Sequence, residues 1–358
     1  MVGLVLPAAL VHFIWWPAMA MDGSWDMFVE KEGGTGPPRW YLAVTMMFGS
    51  FLAGATSEGG AAVAFPVMTL ALGIPPPVAR DFGFMIQSVG MVAASFVIVY
   101  TGVRVEWRGI LFTTVGGVVG VVLYLQFVRL PPAFSKMCFV CTFSAFAVSL
   151  SWLNRHPSRK TFYLISEWNE QAPIVNRKSI ALVFTGVVGG LLTGMSGSGL
   201  DIFSFAILTL LFRVSEKTAT PTSVVLMGIN SAVAFFYRQV VMGGVHHEAW
   251  GYFFVCIPIV VVGAPLGSVI GSYFHRLTLA YLVCILDFVQ FVGALIVVRP
   301  WLHTNQGGAT DAPALLCLVS VCVLFGCAFL FSALAKKGRR FVETPPPTTT
   351  GTAELTII

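Results

Sequence analysis

Gly54-Ala55-Thr56-Ser57-Glu58-Gly59-Gly60 and Gly194-Met195-Ser196-Gly197-Ser198-Gly199-Leu200-Asp201 are two runs of small and polar residues set inside long apolar sequence. Each is followed by an apolar stretch, 60–73 and 200–212, too short to cross a bilayer, which takes about 20 residues in a helix. Backbone that leaves the helix at membrane depth must find partners in protein or in a water-lined cavity. Each run therefore predicts half of a broken helix or the tip of a re-entrant hairpin.

The two runs are copies in register. A shift of 140 positions brings Gly49, Leu52, Gly54, Gly59, Phe65, Thr69, Leu70 and Ala79 onto Gly189, Leu192, Gly194, Gly199, Phe205, Thr209, Leu210 and Ala219, eight identities over 31 positions. The surrounding pattern repeats too: long segment, break, short segment, then three long ones. Five segments per half is an odd number, so the second half enters from the opposite side. The expected fold is an all-α polytopic membrane protein of two inverted-topology repeats, about five segments each, with broken or re-entrant helices and one extra helix at each end. Interrupted segments at matching positions of inverted repeats are where secondary transporters bind their cargo.

Composition agrees. Mean hydropathy is +0.84, with 56% hydrophobic and 10% charged residues, too little charge to cover a soluble domain of this length. The net charge of +5 comes from residues at segment ends and in loops, not from one basic face, so a nucleic-acid partner is not expected; the lipid bilayer is. The seven cysteines, Cys138, Cys141, Cys256, Cys284, Cys317, Cys322 and Cys327, lie in apolar segments and read as small buried hydrophobes.

The organisation expected is an apolar N-terminal segment with an acidic outer loop (1–39), repeat 1 (40–152), a basic loop (153–178), repeat 2 (179–300), an extra transmembrane helix (301–335) and a disordered tail (336–358). The first segment reads as a retained helix, although Ala18-Met19-Ala20 has the form of a signal cleavage site. Arg155, Arg159, Lys160, Arg177 and Lys178 in the loop, and Lys336, Lys337, Arg339 and Arg340 after the last helix, place both termini on the cytoplasmic side by the positive-inside rule. The outer loop carries Asp22, Asp26, Glu30 and Glu32.

The motifs resemble the TauE/SafE sulfite exporter family over roughly residues 40–300. The first half carries Gly59-Gly60, Phe65-Pro66-Val67, Leu72-Gly73-Ile74-Pro75 and Val78-Ala79. The second carries Gly186-x-x-Gly189-Gly190-x-x-x-Gly194, Ser196-Gly197-Ser198-Gly199 and Ala219-Thr220-Pro221-Thr222-Ser223, the last similar to the family's Ala-x-x-Thr-Ser helix start. Glu58 interrupts the family's first glycine run, and Ser198, Leu200 and Asp201 alter the second. The resemblance implies transport of sulfite or small organosulfonates, mostly outward and coupled to the proton gradient.

A small oxyanion calls for hydrogen-bond donors and a positive field. Free N–H groups at a helix break supply both, and glycine lets the backbone come close. The expected substrate-binding residues are Thr56, Ser57, Gly59, Gly60, Ser196, Gly197, Ser198 and Gly199, joined by Thr222 and Ser223 from the next helix start. Gln87 and Asn230 either line the cavity or tie helices together. Glu58 and Asp201 are intramembrane carboxyls, which are costly and functional by default; protonated, either would donate to the anion, so both are proton-coupling candidates, against the reading of a helix-capping carboxylate near water. Arg80 and Arg238 either attract the anion or anchor the interface. Gly186/Gly190 and Gly263/Gly267/Gly271 have the spacing of helix-packing residues. His246-His247-Glu248 reads as a solvated loop.

No metal site, cofactor or catalytic residue is expected. There is no phosphate loop and no HExxH motif, so neither ATP-driven transport nor an enzyme is indicated. The reading is a secondary transporter of a small anionic substrate working by alternating access. A carrier of thiosulfate, sulfate or a small carboxylate on the same fold, or an uncoupled anion channel, is the alternative; a homo-oligomer is compatible with either.

Overall fold

The computed structural model describes residues 2–29, 38–154, 161–165, 177–274, 276–302 and 313–343. The described residues form twelve helices and no strand beyond an isolated bridge between Phe162 and Val214. In chain order these are α1 (Val2–Asp22), α2 (Trp40–Ala55), α3 (Gly60–Pro66, extended by a π turn over Val67–Ala71), α4 (Pro76–Tyr100), α5 (Trp107–Phe127) and α6 (Pro132–Asn154). They continue with α7 (Arg177–Ser196), α8 (Leu200–Ala206, π turn Ile207–Leu211), α9 (Glu216–Phe236, π turn Tyr237–Val241), α10 (His247–Gly271), α11 (Arg276–Val298) and α12 (Pro313–Glu343). Eight of the described helices are long and apolar enough to cross a membrane: α4 to α7 and α9 to α12.

The 140-residue register extends to local structure. Thr69 Oγ1 donates back to Phe65 O at 2.8 Å, and Thr209 Oγ1 to Phe205 O at 2.7 Å. The π turns close alike, Leu72 N on Val67 O at 2.9 Å and Phe212 N on Ile207 O at 3.0 Å. Both halves then turn through a left-handed residue, Gly73 at φ 68° and Arg213 at φ 56°. A side chain in that conformation costs about 1–2 kcal/mol, and Arg213 is held there by its backbone carbonyl, which accepts Phe162 N at 2.9 Å, and by its guanidinium on Ala335 O at 3.4 Å.

These contacts define the two ends of the bundle. At one end, residues 161–165 meet the α8–α9 turn, Ile165 N donates to Glu106 Oε2 at 2.8 Å, and Arg213 reaches α12. At the other, Lys136 Nζ donates to Thr69 O at 2.7 Å, Gln126 Nε2 to Tyr237 OH at 2.6 Å, and Arg238 pairs with Asp81 at 2.8 Å. Hence α7 starts at the first end and α8 returns to it, while α2 and α3 do the same from the second. Of the two readings the sequence allows, the re-entrant one holds: both short segments run back toward the end from which their partners came.

Helix partners are exchanged between halves as a two-fold axis requires. α2 lies along α10 and α7 along α5, α4 crosses α9, and α6 packs on α11. Lipid tails are as apolar as leucine, so close backbone approach drives such contacts. A Cβ on Gly267 would sit 2.0 Å from Phe51 O, and one on Gly190 would sit 2.3 Å from Gly117 O. The broken helices and α4 are enclosed; α12 is peripheral, with 17% of its apolar window buried against 67% for α4.

Two boundaries differ from expectation. α9 begins at Glu216, not at the Ala219 motif, because Ser215 O accepts the Thr218 and Ala219 amides and starts the helix earlier. α12 runs through Glu343 rather than stopping before the basic residues: Lys and Arg are good helix formers, and Gly338, a poor one, lies where a Cβ would stand 2.0 Å from Leu210 O. Glu30, Glu32, Arg155, Arg159, Lys160 and the remainder of the tail lie outside the described residues.

Gly190→Leu and Gly267→Leu should each lower stability by about 2 kcal/mol or more through overpacking, read as a fall in melting temperature in detergent. Gly326→Ala, where a Cβ meets nothing within 4 Å, is the control. Equal melting temperatures for all three would show that the close approaches do not hold the halves together.

Candidate functional site

The first break forms because Thr56 ends α2. Its amide and its hydroxyl both donate to Leu52 O at 2.8 Å, and its extended backbone turns the chain away. The freed Glu58 N then donates to Thr56 Oγ1 at 3.2 Å. Gly59 precedes α3 and supplies no side-chain cap. The second break uses glycine differently. Gly197 at φ +87° and Gly199 at φ +147° take conformations that side chains rarely adopt. Ser196 Oγ lies 2.8 Å from Ser198 O and 3.0 Å from Leu192 O, either of which can accept its proton. Leu200 N donates to Thr193 Oγ1 at 2.9 Å, a partner that nothing in the sequence singled out.

The two tips touch. Asp201, in the first turn of α8, accepts Gly199 N at 2.8 Å on Oδ1 and Ser198 Oγ at 2.9 Å on Oδ2. The same Oδ2 accepts Gly59 N from the other break. Gln87 of α4 donates from Nε2 to Gly197 O at 2.7 Å. A Cβ on Gly59 would stand 2.4 Å from Gln87 Oε1 and 2.8 Å from Asp201 Oδ2, so a side chain there would displace the groups that join the tips. Gly60 is under no such pressure, its nearest neighbour being Met46 Cε at 3.5 Å. Thr56, Ser57, Ser196 and Ser198 are all buried.

Asp201 therefore caps its own helix and clasps the opposite tip, with both oxygens engaged. The water expected beside a capping carboxylate is not at hand, for Asp201 is 1% exposed. Glu58 is the reverse case: it is 3% exposed, and its Oε1 has no hydrogen-bond donor. Its carboxyl lies within hydrogen-bonding reach of Asp287 on α11. Asp287 is 1% exposed, and neither of its oxygens has a donor. Sequence reasoning missed Asp287, which lies in an apolar run with no glycine break to mark it. An acid within a membrane segment was the available signal.

The side chains of the other candidates make their polar contacts outside the tips. Thr222 Oγ1 donates to Thr218 O at 2.6 Å and accepts Glu106 N at 2.9 Å, tying α9 to the start of α5. Ser223 Oγ donates to Thr220 O at 2.8 Å within its own helix. Asn230 donates from Nδ2 to Leu226 O at 2.8 Å and to Thr114 Oγ1 at 3.2 Å, which makes it a tie between α9 and α5. Arg80 and Arg238 converge on the buried Asp81, at 2.9 Å and 2.8 Å. His246 joins them, Nδ1 lying 2.6 Å and its amide 3.1 Å from Asp81 Oδ2. Thus Asp81 and His246, not anticipated as site residues, organise a charged cluster linking the halves at the end opposite residues 161–165. Among the described residues no group of three His, Cys, Asp or Glu is placed to hold a metal ion.

A family model described as Sulfite exporter TauE/SafE matches residues 41–294. Comparisons with curated proteins and with solved structures return no match.

Asp201→Ala strips the acceptor from three donors on two breaks, and each unsatisfied buried donor costs about 1–3 kcal/mol. Its melting temperature should drop well below that of Asp201→Asn, whose amide oxygen still accepts. If the alanine variant melts like the wild type, the clasp does not carry the junction.

Proposed function

The chain belongs to the TauE/SafE sulfite exporter family, membrane exporters of sulfur anions, and from that premise we propose that it carries sulfite or a small organosulfonate outward by proton-coupled alternating access. The observation that carries the reading is the meeting of two re-entrant tips from opposite ends of the bundle, joined through Gly59 and Asp201. A site built between inverted halves is reached from either face as one half rocks against the other.

The tips supply the anion's contacts: Thr56, Ser57, Gly59 and Gly60 on one, Ser196, Gly197, Ser198 and Gly199 on the other. Donors at both breaks are partly spent: Leu200 N and Gly199 N on Thr193 and Asp201 at the second, Glu58 N and Gly59 N on Thr56 and Asp201 at the first. Gln87 sets the distance between the tips. Thr222 and Asn230 act as ties between helices, and Ser223 bonds within its own. Arg80 and Arg238 carry two positive charges against the single carboxylate of Asp81, which leaves the cluster attractive to an anion approaching from that end.

Of the two carboxyls in the breaks, Glu58 is the better proton carrier. Asp201 has its oxygens committed to the clasp, while Glu58 has an oxygen free to exchange a proton. Protonated Glu58 carries no charge to repel the anion, so proton and anion bind together and leave together. Residues 40–152 and 179–300 are the moving halves on this reading. The end bearing residues 161–165 and the last turns of α12 is cytoplasmic, as its basic residues favour.

Sulfite flux in proteoliposomes, with and without an imposed pH gradient, tests the proposal. Gradient-driven accumulation is expected in the wild type. Glu58→Gln should reduce it about tenfold or more, a loss of ~1.4 kcal/mol or greater. Thiosulfate, sulfate or a small carboxylate accumulating in place of sulfite would change the cargo. Uncoupled flux with single-channel currents would replace the carrier by a channel.

A further inference from the structure

Glu58 sits on the break between α2 and α3, and Asp287 projects from α11 to within hydrogen-bonding reach of it. Both are buried, at 3% and 1% exposure. Glu58 Oε1 and both oxygens of Asp287 lack a donor, as two ionised carboxylates facing each other must. The charged or titratable groups that face Glu58 are Asp287 and Cys284 on α11 and Asp201 on α8; those that face Asp287 are Glu58 and Cys284. Cys284 Sγ already has Ser151 Oγ at 3.0 Å and Ala147 O at 3.4 Å. Among the described residues no cation stands beside these groups.

The amides around the pair are oriented the same way. Gln87 spends its Nε2 on Gly197 O at 2.7 Å, and Gln290 directs its Nε2 to Ala62 O at 3.4 Å. Their oxygens, Gln87 Oε1 and Gln290 Oε1, are buried without a donor. Gln87 Oε1 bears directly on Gly59, the neighbour of Glu58, standing 2.4 Å from where its Cβ would be. Gln290 lies one helical turn beyond Asp287 on the same face of α11. The pair and its two flanking amide oxygens are thus all acceptors, and two like charges in contact in a buried site cannot both persist without a counter-ion.

We propose that Glu58 and Asp287 hold one proton between them as a carboxyl–carboxylate hydrogen bond, making Asp287 the second member of the proton-carrying site and coupling the α2–α3 tip to α11. This rests on the coupled-carrier reading above and adds to it a residue outside the breaks. With the shared proton, one carboxyl donates to the other and the pair carries a single negative charge. When the pair takes a second proton it becomes neutral, and an anion is then tolerated beside Gly59 and Gly60. When that proton leaves, the returned charge expels the anion. No bond other than O–H is made or broken.

Two measurements test the pair. In proteoliposomes, Asp287→Asn should lose gradient-driven sulfite accumulation to the same extent as Glu58→Gln, and the double variant should lose no more than either alone. Losses that multiply in the double variant would overturn the pair, since independent sites add in free energy. Accumulation by Asp287→Asn equal to the wild type would overturn it too, while leaving the coupled carrier standing. A sodium gradient that drives accumulation in the wild type but not in Asp287→Asn would replace the proton by a metal cation and also overturn it.

The second measurement does not need transport or a folded variant. Infrared spectra of the wild type, taken from mildly acidic to mildly basic pH in light and heavy water, should show the carbonyl stretch of a protonated buried carboxyl that shifts on deuteration. Where the variants fold, that band should be altered by either substitution, which a purely structural Asp287 would not do. Its absence at every pH would end the proposal. If the band is present and no pH-driven sulfite flux is found, the proton pair stands and the carrier reading falls.

Discussion

Everything at the centre of this bundle hangs on one carboxylate. Asp201 collects a hydroxyl and an amide from its own break and an amide from the opposite one. In hydrocarbon, N–H groups freed by a break have no water to turn to, and each would cost several kcal/mol if left alone. A buried carboxylate is costlier still unless it is hydrogen-bonded. Placing the two together offsets both costs, and it can be done only where the breaks come within a hydrogen bond of each other. The small residues around them serve that end: a Cβ on Gly59 would press on the Asp201 and Gln87 oxygens, and one on Gly83 would come 3.3 Å from Gly197 Cα.

The wider packing follows from the same need. For tips entering from opposite ends to meet, the helices that carry them must lie close to helices of the other half. α2 does so on α10 through Gly54, Gly263, Gly267 and Gly271, and α7 on α5 through Gly116, Gly120, Gly186 and Gly190. A backbone oxygen lies where the added Cβ of most of these would go, so the contacts are backbone against backbone. The periphery is under no such constraint: a Cβ on Gly293 of α11 or on Gly326 of α12 would meet nothing within 4 Å.

Much of this was legible in the sequence because it is local or periodic. The breaks announce themselves as Thr56-Ser57-Glu58-Gly59 and Ser196-Gly197-Ser198-Gly199, and the 140-residue register carries through to the π turns and to the left-handed pair Gly73 and Arg213. The choice between a broken helix and a re-entrant one was not legible, for it depends on which end the α8–α9 turn reaches, and residues 161–165 decide that by pairing with it. Partnerships were harder still. Arg80 and Asp81 are neighbours in the chain, but Arg238 and His246 reach Asp81 only through the fold. Asp287 had no motif around it.

The surroundings of the first break nevertheless differ from those of the second by one residue type. Pro66 lies within α3 and has no N–H, so the helical bond it would make to the carbonyl four residues earlier is missing. That carbonyl belongs to Ala62, and Gln290 Nε2 approaches it at 3.4 Å. The long contact is weak as a hydrogen bond, but it places Gln290 of α11 beside that open carbonyl. Asp287, three residues earlier on the same face, stands within hydrogen-bonding reach of Glu58, just before α3. The proline that disturbs a short intramembrane helix thus leaves an acceptor beside the face of α11 that carries the second acid. The second half has Ala206 at the equivalent position, with its N–H intact. The acid pair has no counterpart by repetition, for Ser198 and Ala147 stand where the 140-residue shift puts Glu58 and Asp287, and the two halves, alike in backbone, differ in where a proton can be held.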